Sequence, residues 1–257
     1  MVDGAYAFEV IKKALEEFYL RRITKLMGSD IFDIIKRKNP YLYRAFGTAN
    51  AHDYIKALLA DTQTSSDETL FGEFFETVAI AVSGGRKSSA NSIDLEIWSP
   101  DQKSVKLIAV KSGPHIFNAQ SKQRQNVAFQ EAMKRLTKVA VTPIVGYSYG
   151  RKENRGGNQN NFSEVAGQAF WEEITGDSGF YIKLMDYIGQ AASQHKEKFD
   201  EEWNKCINRL FKAFLDVFGN EDGSIDWESV VIYNSQKESP LDINEKIRAV
   251  KKNLKSE

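Results

Sequence analysis

Ile93-Asp94-Leu95-Glu96-Ile97, followed after a short turn by Val105-Lys106-Leu107-Ile108-Ala109-Val110-Lys111-Ser112-Gly113, is the stretch around which the chain is organised. Both halves have the length and alternation of β-strands, and the turn-prone Ser99-Pro100-Asp101-Gln102 joins them. With a period of two, Ile93, Leu95 and Ile97 point one way while Asp94 and Glu96 point the other. In the second segment Ile108 and Val110 continue the apolar face, and Lys111 falls on the polar side. Antiparallel pairing about this turn sets Asp94 opposite Ala109. Lys111 is then a diagonal neighbour of Asp94, roughly 7–8 Å away and within reach of a shared ligand.

Charge is balanced overall, at 35 basic and 35 acidic residues, so the total says nothing about nucleic acid. Its distribution does. Lys103 to Arg155 carries Lys and Arg at 103, 106, 111, 122, 124, 134, 135, 138, 151, 152 and 155 against only Glu131 and Glu153. Asp67 to Asp101 carries acids at 67, 68, 73, 76, 94, 96 and 101 against Arg86 and Lys87. An acidic cluster beside a basic stretch suits a metal site within a phosphate-binding groove. At 257 residues and 42% apolar content the chain is long enough for one large domain. We expect a single domain over 1–257, with a helical part at 1–65, a core at 66–175 and a mainly helical part at 176–257. The start "MVDGAYAFEV" lacks a basic region leading into an apolar stretch, and no run reaches membrane-spanning length, so a soluble, cytoplasmic protein without membrane contact is expected.

Along the chain, residues 5–27 have the three- and four-residue apolar spacing of an amphipathic helix. Asp30 caps a second helix, Asn39-Pro40 forces a break, and another helix runs from Ala51 to Ala60. "DTQTSSDETL" reads as a loop, with Ser66 or Asp67 capping a helix that carries Phe74, Val78 and Val82 on one stripe and Glu73 and Glu76 on another arc. The Gly/Ser stretch "SGGRKSSANS" offers Arg86 and Lys87 to phosphate or bases. After Lys111, a helix to about Lys138 opens with Gln120, Lys122, Gln123, Arg124, Gln125 and Asn126. Amides and guanidinium groups in this density suit base edges and phosphates better than packing. Val139 to Tyr149 is a central strand by its unbroken apolar character, and Arg151, Lys152 and Arg155 follow in a polar loop. "FSEVAGQAFWEEITG" reads as a turn and helix. Two amphipathic helices, a turn with a short helix and a possible last strand, and an exposed, frayed tail helix complete the chain.

Other chemistries find no support. His52, His115 and His195 lack zinc-ligand spacing, and no phosphate-loop, dinucleotide or nucleophile-elbow motif occurs. Cys206 reads as core, and "NEDGSIDW" lacks the alternating ligands of a calcium loop.

The Asp strand followed by a Lys strand resembles the PD-(D/E)XK nucleases, which hold a divalent metal with an Asp and an acid-x-Lys on the next strand. Acidic helix, Asp strand, turn, Lys strand, polar-started helix and apolar strand also follow the order of the restriction-endonuclease-like fold. An α/β class is therefore expected, with a mixed β-sheet core flanked by helices and largely helical N- and C-terminal parts. "FGEFFE", "SIDLEI", "VKSG", "IVGYSYG", "AGQAFW" and "NEDGSIDW" resemble, in that order, the type II restriction endonucleases that cut interrupted GG-N-CC sites. The resemblance implies a homodimer acting on double-stranded DNA with Mg2+, leaving 5′-phosphate and 3′-hydroxyl ends, with a DNA methyltransferase in the same restriction-modification system. It implies Asp94 as a metal-binding carboxylate, the Val110 backbone carbonyl as another ligand, and Lys111 as the catalytic lysine. Ala109 occupies the acid position of acid-x-Lys. Glu76 is the first candidate for the replacing carboxylate, Glu96 the second and Glu73 the third. Two other readings are a structure-specific repair or recombination nuclease of the same fold, and a non-catalytic DNA-binding module.

Overall fold

A computed structural model describes residues 3–114, 118–154, 161–238 and 240–254. His115 and Arg155 lie outside them. Among the described residues one mixed sheet has the strand order β1-β2-β3-β4-β6-β5. Its strands are β1 (Arg86–Lys87), β2 (Leu95–Trp98), β3 (Ser104–Lys111), β4 (Ala140–Tyr147), β5 (Glu153–Asn154) and β6 (Ser163–Ala166). β1, β2 and β3 form an antiparallel meander, β4 runs parallel to β3, β6 parallel to β4, and β5 antiparallel to β6. The β3 to β4 crossover is the helix α5 (Ala119–Arg135), as parallel pairing requires a long connection.

From Leu95 onward the hairpin has the expected register, with Leu95 paired to Ile108 and Glu96 to Leu107. Asp94 departs from it, since its N–H donates to Ile108 O at 2.9 Å and it does not pair with Ala109. The turn closes through Ser99 N to Ser104 O, with Gln102 at φ 59°. β4 is central, and it carries Pro143 without a lost ladder bond. Ser148 N donates to Lys111 O and Tyr147 O accepts from Gly167 N, so by alternation Pro143 faces the β6 side. β6 begins pairing one residue later, at Ile144 opposite Ser163, where a missing N–H costs nothing.

The chain divides into two compact units, residues through Tyr19 with Thr69–His195, and Leu20–Glu68 with the segment from Lys196 onward. In the first, the sheet is apolar on both faces. Leu95, Ile108, Val110, Ile144 and Val165 pack with Phe74 and Val78 of α4 (Ala51–Val82), with Phe170 and Trp171 of α6 (Gln168–Thr175), and with Phe180 and Leu184 of α7 (Phe180–Ala192). Val105, Leu107, Ala109, Val145 and Tyr147 pack on the other face with Phe129 and Ala132 of α5. Gly146 is required by close packing, because a Cβ there would lie 2.2 Å from the Phe170 ring.

The second unit holds α2 (Ile31–Arg37), α3 (Pro40–Ala45), α8 (Lys196–Phe218), α9 (Trp227–Ser235) and α10 (Leu241–Leu254), with parts of α1 (Gly4–Met27) and α4. Asp30 and Asn39 cap α2 and α3 as their side-chain chemistry predicts. Tyr54 packs against Tyr43, Phe214 and Trp227, and Asn234 of α9 donates to the Ile35 and Lys38 carbonyls at the end of α2. Cys206 is buried, as expected of a packing residue.

Six local expectations are corrected. α4 is one helix of 32 residues, with no loop over "DTQTSSDETL". That stretch has no Gly or Pro, and Thr62 and Thr64 bond back to the Leu58 and Ala60 carbonyls instead of interrupting the helix. Ser66 and Asp67 therefore cap nothing; Asp67 instead accepts from Arg22 and Gln63. "SEVA" is the strand β6 rather than a turn. Ile93 packs on the α5 face with Ala109 and not beside Leu95, because Asp94 and Leu95 both oppose Ile108 and the alternation breaks between them. No last strand follows the α9 turn among the described residues, where Gly219 and Ile225 form only an isolated bridge. The tail is not frayed and exposed: α10 buries Ile243, Ile247 and Val250 and packs against α8.

Candidate active site

At the C-terminal end of β3 the hairpin brings an acid, a carbonyl and an ammonium together. Asp94 Oδ2 accepts from Val110 N at 2.7 Å and lies 3.7 Å from Lys111 Nζ. Both side chains are partly exposed, at 21% and 29%, so water reaches them. Asp94 Oδ1 accepts no hydrogen bond among the described residues. A residue in a strand sends its N–H and C=O to the same side. Ile108 O accepts from Asp94 N and Val110 N donates to the Asp94 carboxylate, so the Val110 carbonyl is directed to that same side.

Ala109, the position of the absent acid, is fully buried between Val145, Tyr147 and Phe129. A carboxylate there would enter an apolar layer. Glu96, two residues beyond Asp94, is fully engaged. It accepts from Ser88 Oγ at 2.9 Å, Trp98 Nε1 at 3.0 Å and the Arg86 guanidinium at 3.0 Å. Burial pushes its carboxyl upward, yet the Trp98, Ser88 and Arg86 donors prevail and hold it below its ordinary value. Glu96→Ala is therefore expected to cost about 1–3 kcal/mol of stability by stranding these donors, seen in thermal unfolding.

Glu76 pairs with Lys87 at 3.3 Å. It lies one turn beyond Gly72, where a Cβ would stand 3.1 Å from Ser112 Oγ, so α4 passes close to the end of β3 at this level. Lys87 pairs with Leu95, whose side chain belongs to the α4-side core. The described contacts thus join Asp94, Val110 and Lys111 and leave Glu76 with Lys87. Glu73 is exposed.

Of the DNA-contact candidates, Arg86, Lys87, Gln120, Gln123, Arg124 and Arg151 are exposed. Asn126 is half-buried, with an Oδ1 that finds no hydrogen-bond partner among the described residues. Arg151 and Lys152 line a groove of about 990 Å³ with Tyr149, Gln168 and Trp171. Gln125 is buried instead and donates to Ser92 O at 2.8 Å, holding the approach to Asp94 against α5. Lys122 and Lys152 converge on Glu164 of β6, a buried carboxylate that sequence reasoning missed. Lys152 Nζ is 2.8 Å and Lys122 Nζ 3.3 Å from its Oε1, which also accepts from Tyr147 OH at 2.7 Å. Burial works to raise the Glu164 pKa, but Lys152, Tyr147 and Lys122 overcome it and hold the carboxyl low, while burial and Glu164 push the Tyr147 phenol up.

The donor chemistry at Asp94 suits a hard divalent cation, since a carboxylate and a peptide carbonyl are oxygen ligands. No group of three or more His, Cys, Asp or Glu side chains that could hold a metal occurs among the described residues, so water and substrate phosphate oxygens would complete a shell there.

An antiparallel hairpin bearing Asp and Lys at its open end, a crossover helix and a parallel central strand define a restriction-endonuclease-like α/β core. The family model for type II restriction endonuclease EcoO109I matches residues 7–197, and the chain belongs to that family. It is thus an endodeoxyribonuclease, cutting DNA site-specifically. Enzymes of this type typically use a divalent metal. No curated protein matches the chain. No helix among the described residues is long and apolar enough to cross a membrane.

Proposed function

We propose that the protein is a magnesium-dependent type II restriction endonuclease that hydrolyses double-stranded DNA to 5′-phosphate and 3′-hydroxyl ends. The observation that carries this reading is the convergence of the Asp94 carboxylate, the Val110 carbonyl and the Lys111 ammonium at one end of the hairpin. Asp94 Oδ1 and Val110 O would hold the ion. When bound, Mg2+ polarises the scissile phosphate and lowers the pKa of an attacking water. Asp94 is oriented for this by Val110 N–H, which occupies its other oxygen. Lys111 orients the water and meets the negative charge that develops on the phosphoryl oxygens. Attack is in line, with the 3′ oxygen leaving.

Glu76 is the further carboxylate we assign to the site, freed for it when DNA phosphate takes up Lys87. Its alanine variant is expected to raise the magnesium concentration needed for half-maximal cleavage. An unchanged magnesium titration would point to Glu96 or to water in its place. Arg86, Lys87, Gln120, Lys122, Gln123, Arg124, Asn126, Arg151, Lys152 and Arg155 are the proposed DNA contacts. The enzyme acts in the cytoplasm as a homodimer, each copy cutting one strand, beside a methyltransferase that protects host DNA. Cleavage of a plasmid restored by magnesium after EDTA treatment supports the assignment; equal cleavage in EDTA overturns it.

A further inference from the structure

Glu164 has no part in the hydrolysis just described, yet it is 2% exposed and collects three donors from three segments. Lys122 comes from the first turn of α5, Lys152 from the segment after β4, and Tyr147 from the end of β4. A buried carboxylate needs compensation by one cation, and here two are supplied. Because both ammonium nitrogens contact the same oxygen, at 3.3 and 2.8 Å, they are held no more than about 6 Å apart. Each lysine side chain keeps just over a quarter of its surface exposed, 28% for Lys122 and 27% for Lys152. The cluster therefore carries one uncompensated positive charge at a solvent-facing rim, with its geometry set from beneath. Lys152 is further restrained over the Tyr147 ring, 5.4 Å from its centroid.

The sheet register relates this cluster to the hydrolytic site. Ala109 pairs with Val145 and Val145 with Glu164, so these three lie in one cross-strand row, and the Asp94 N–H donates to Ile108 O, next to Ala109. At about 4.8 Å between strands, Asp94 and Glu164 are separated by roughly 14 Å, a few nucleotides along a DNA strand. Lysines bind phosphate as point charges and lose side-chain entropy when they do so. Two lysines already gathered on a rigid anion avoid part of that loss.

We propose that Lys122 and Lys152 form a paired site for one DNA backbone phosphate near the scissile one, and that Glu164 is the positioning residue that holds the pair together. The proposal rests on DNA being the substrate and is independent of the chemistry at Asp94 and Lys111. It is tested by binding to a short random-sequence duplex in EDTA, since phosphate contacts carry no sequence information. Affinity is followed by fluorescence anisotropy over a range of salt concentrations, for folded variants verified by thermal unfolding.

Glu164→Gln removes a negative charge, so electrostatics alone predicts tighter binding. Loss of positioning predicts roughly tenfold weaker binding, and unchanged or tighter binding overturns the proposal. The lysines decide the matter separately if that variant fails to fold. Lys122→Ala and Lys152→Ala are each expected to weaken binding. Their combination is expected to lower the slope of log affinity against log salt by about 0.9 for each subunit on the duplex, the loss of one phosphate contact per subunit. A slope loss near twice that means two separate phosphates and contradicts the shared site; no slope change means that the lysines serve only to neutralise Glu164. Cleavage that still requires Asp94 alongside either negative result leaves the hydrolytic reading intact.

Discussion

Asp94→Ala is expected to reduce DNA cleavage by about a thousandfold or more at saturating magnesium, with DNA binding in the absence of metal changed only severalfold. The carboxylate is the one described side-chain oxygen ligand at the end of the hairpin, and its loss removes several kcal/mol of transition-state stabilisation. It also frees Val110 N–H, which otherwise donates to Oδ2 at 2.7 Å. Because Asp94 is partly exposed, water replaces that acceptor and the fold is expected to survive. Single-turnover cleavage and metal-free binding, measured on one preparation, separate the two effects. Asp94→Asn sharpens the test by keeping the shape while removing the charge. Its cleavage should remain close to that of the alanine variant, since an amide oxygen is a poor substitute for a carboxylate beside a phosphodiester.

Lys111→Ala is expected to lower the cleavage rate by about 10²–10³-fold, the scale on which one preorganised charge at a developing anion acts. Lys111 Nζ stands 3.7 Å from Asp94 Oδ2, too long for a strong hydrogen bond, so the ammonium is held near the carboxylate without being consumed by it. The loss should appear in the rate of the chemical step and leave the magnesium requirement nearly unchanged, in contrast to Glu76→Ala. Lys111→Arg is expected to restore little, because a planar guanidinium on a different stem does not place a point charge at the same position. A variant that recovers full rate with arginine would show that only net charge matters at this position.

The hairpin was legible because two independent signals agree there. Alternation set the faces of Leu95 and Ile108, and Ser99-Pro100-Asp101-Gln102 set the loop, so register followed. The same logic fails at Ile93, because Asp94 and Leu95 both oppose Ile108 and break the alternation, an irregularity that no residue type there announces. In sequence α4 reads as two helices, because Ser, Thr and Asp favour turns when their side chains compete for the backbone. In place, Thr62 and Thr64 satisfy themselves within the helix, and Asp67 is paired with Arg22. β6 has only four residues, one of them Glu164, and a charged residue inside a short apolar run hides a strand.

In the site, the nearness of Lys111 to Asp94 is readable from the hairpin register, because Asp94 adjoins Leu95, which pairs with Ile108. The engagement of Glu96 was not, since its partners Arg86 and Ser88 lie across a strand pair whose edge is only two residues long. Ala109 is fully buried in the α5-side cluster with Phe129 and Tyr147. The Glu164 cluster could not have been found from spacing, because Lys122 is 42 residues and Lys152 12 residues from it. Only the pairing of β4 with β6 brings them into one place.

The most direct measurement is digestion of a defined phage DNA by the purified protein with magnesium, followed by sequencing of the fragment ends, with the Asp94→Ala protein run in parallel. The account predicts discrete fragments sharing one twofold-related sequence, 5′-phosphate and 3′-hydroxyl ends, and no fragments from the variant. Cutting by the Asp94→Ala protein at the same sites, or cleavage confined to branched or damaged DNA, would contradict it.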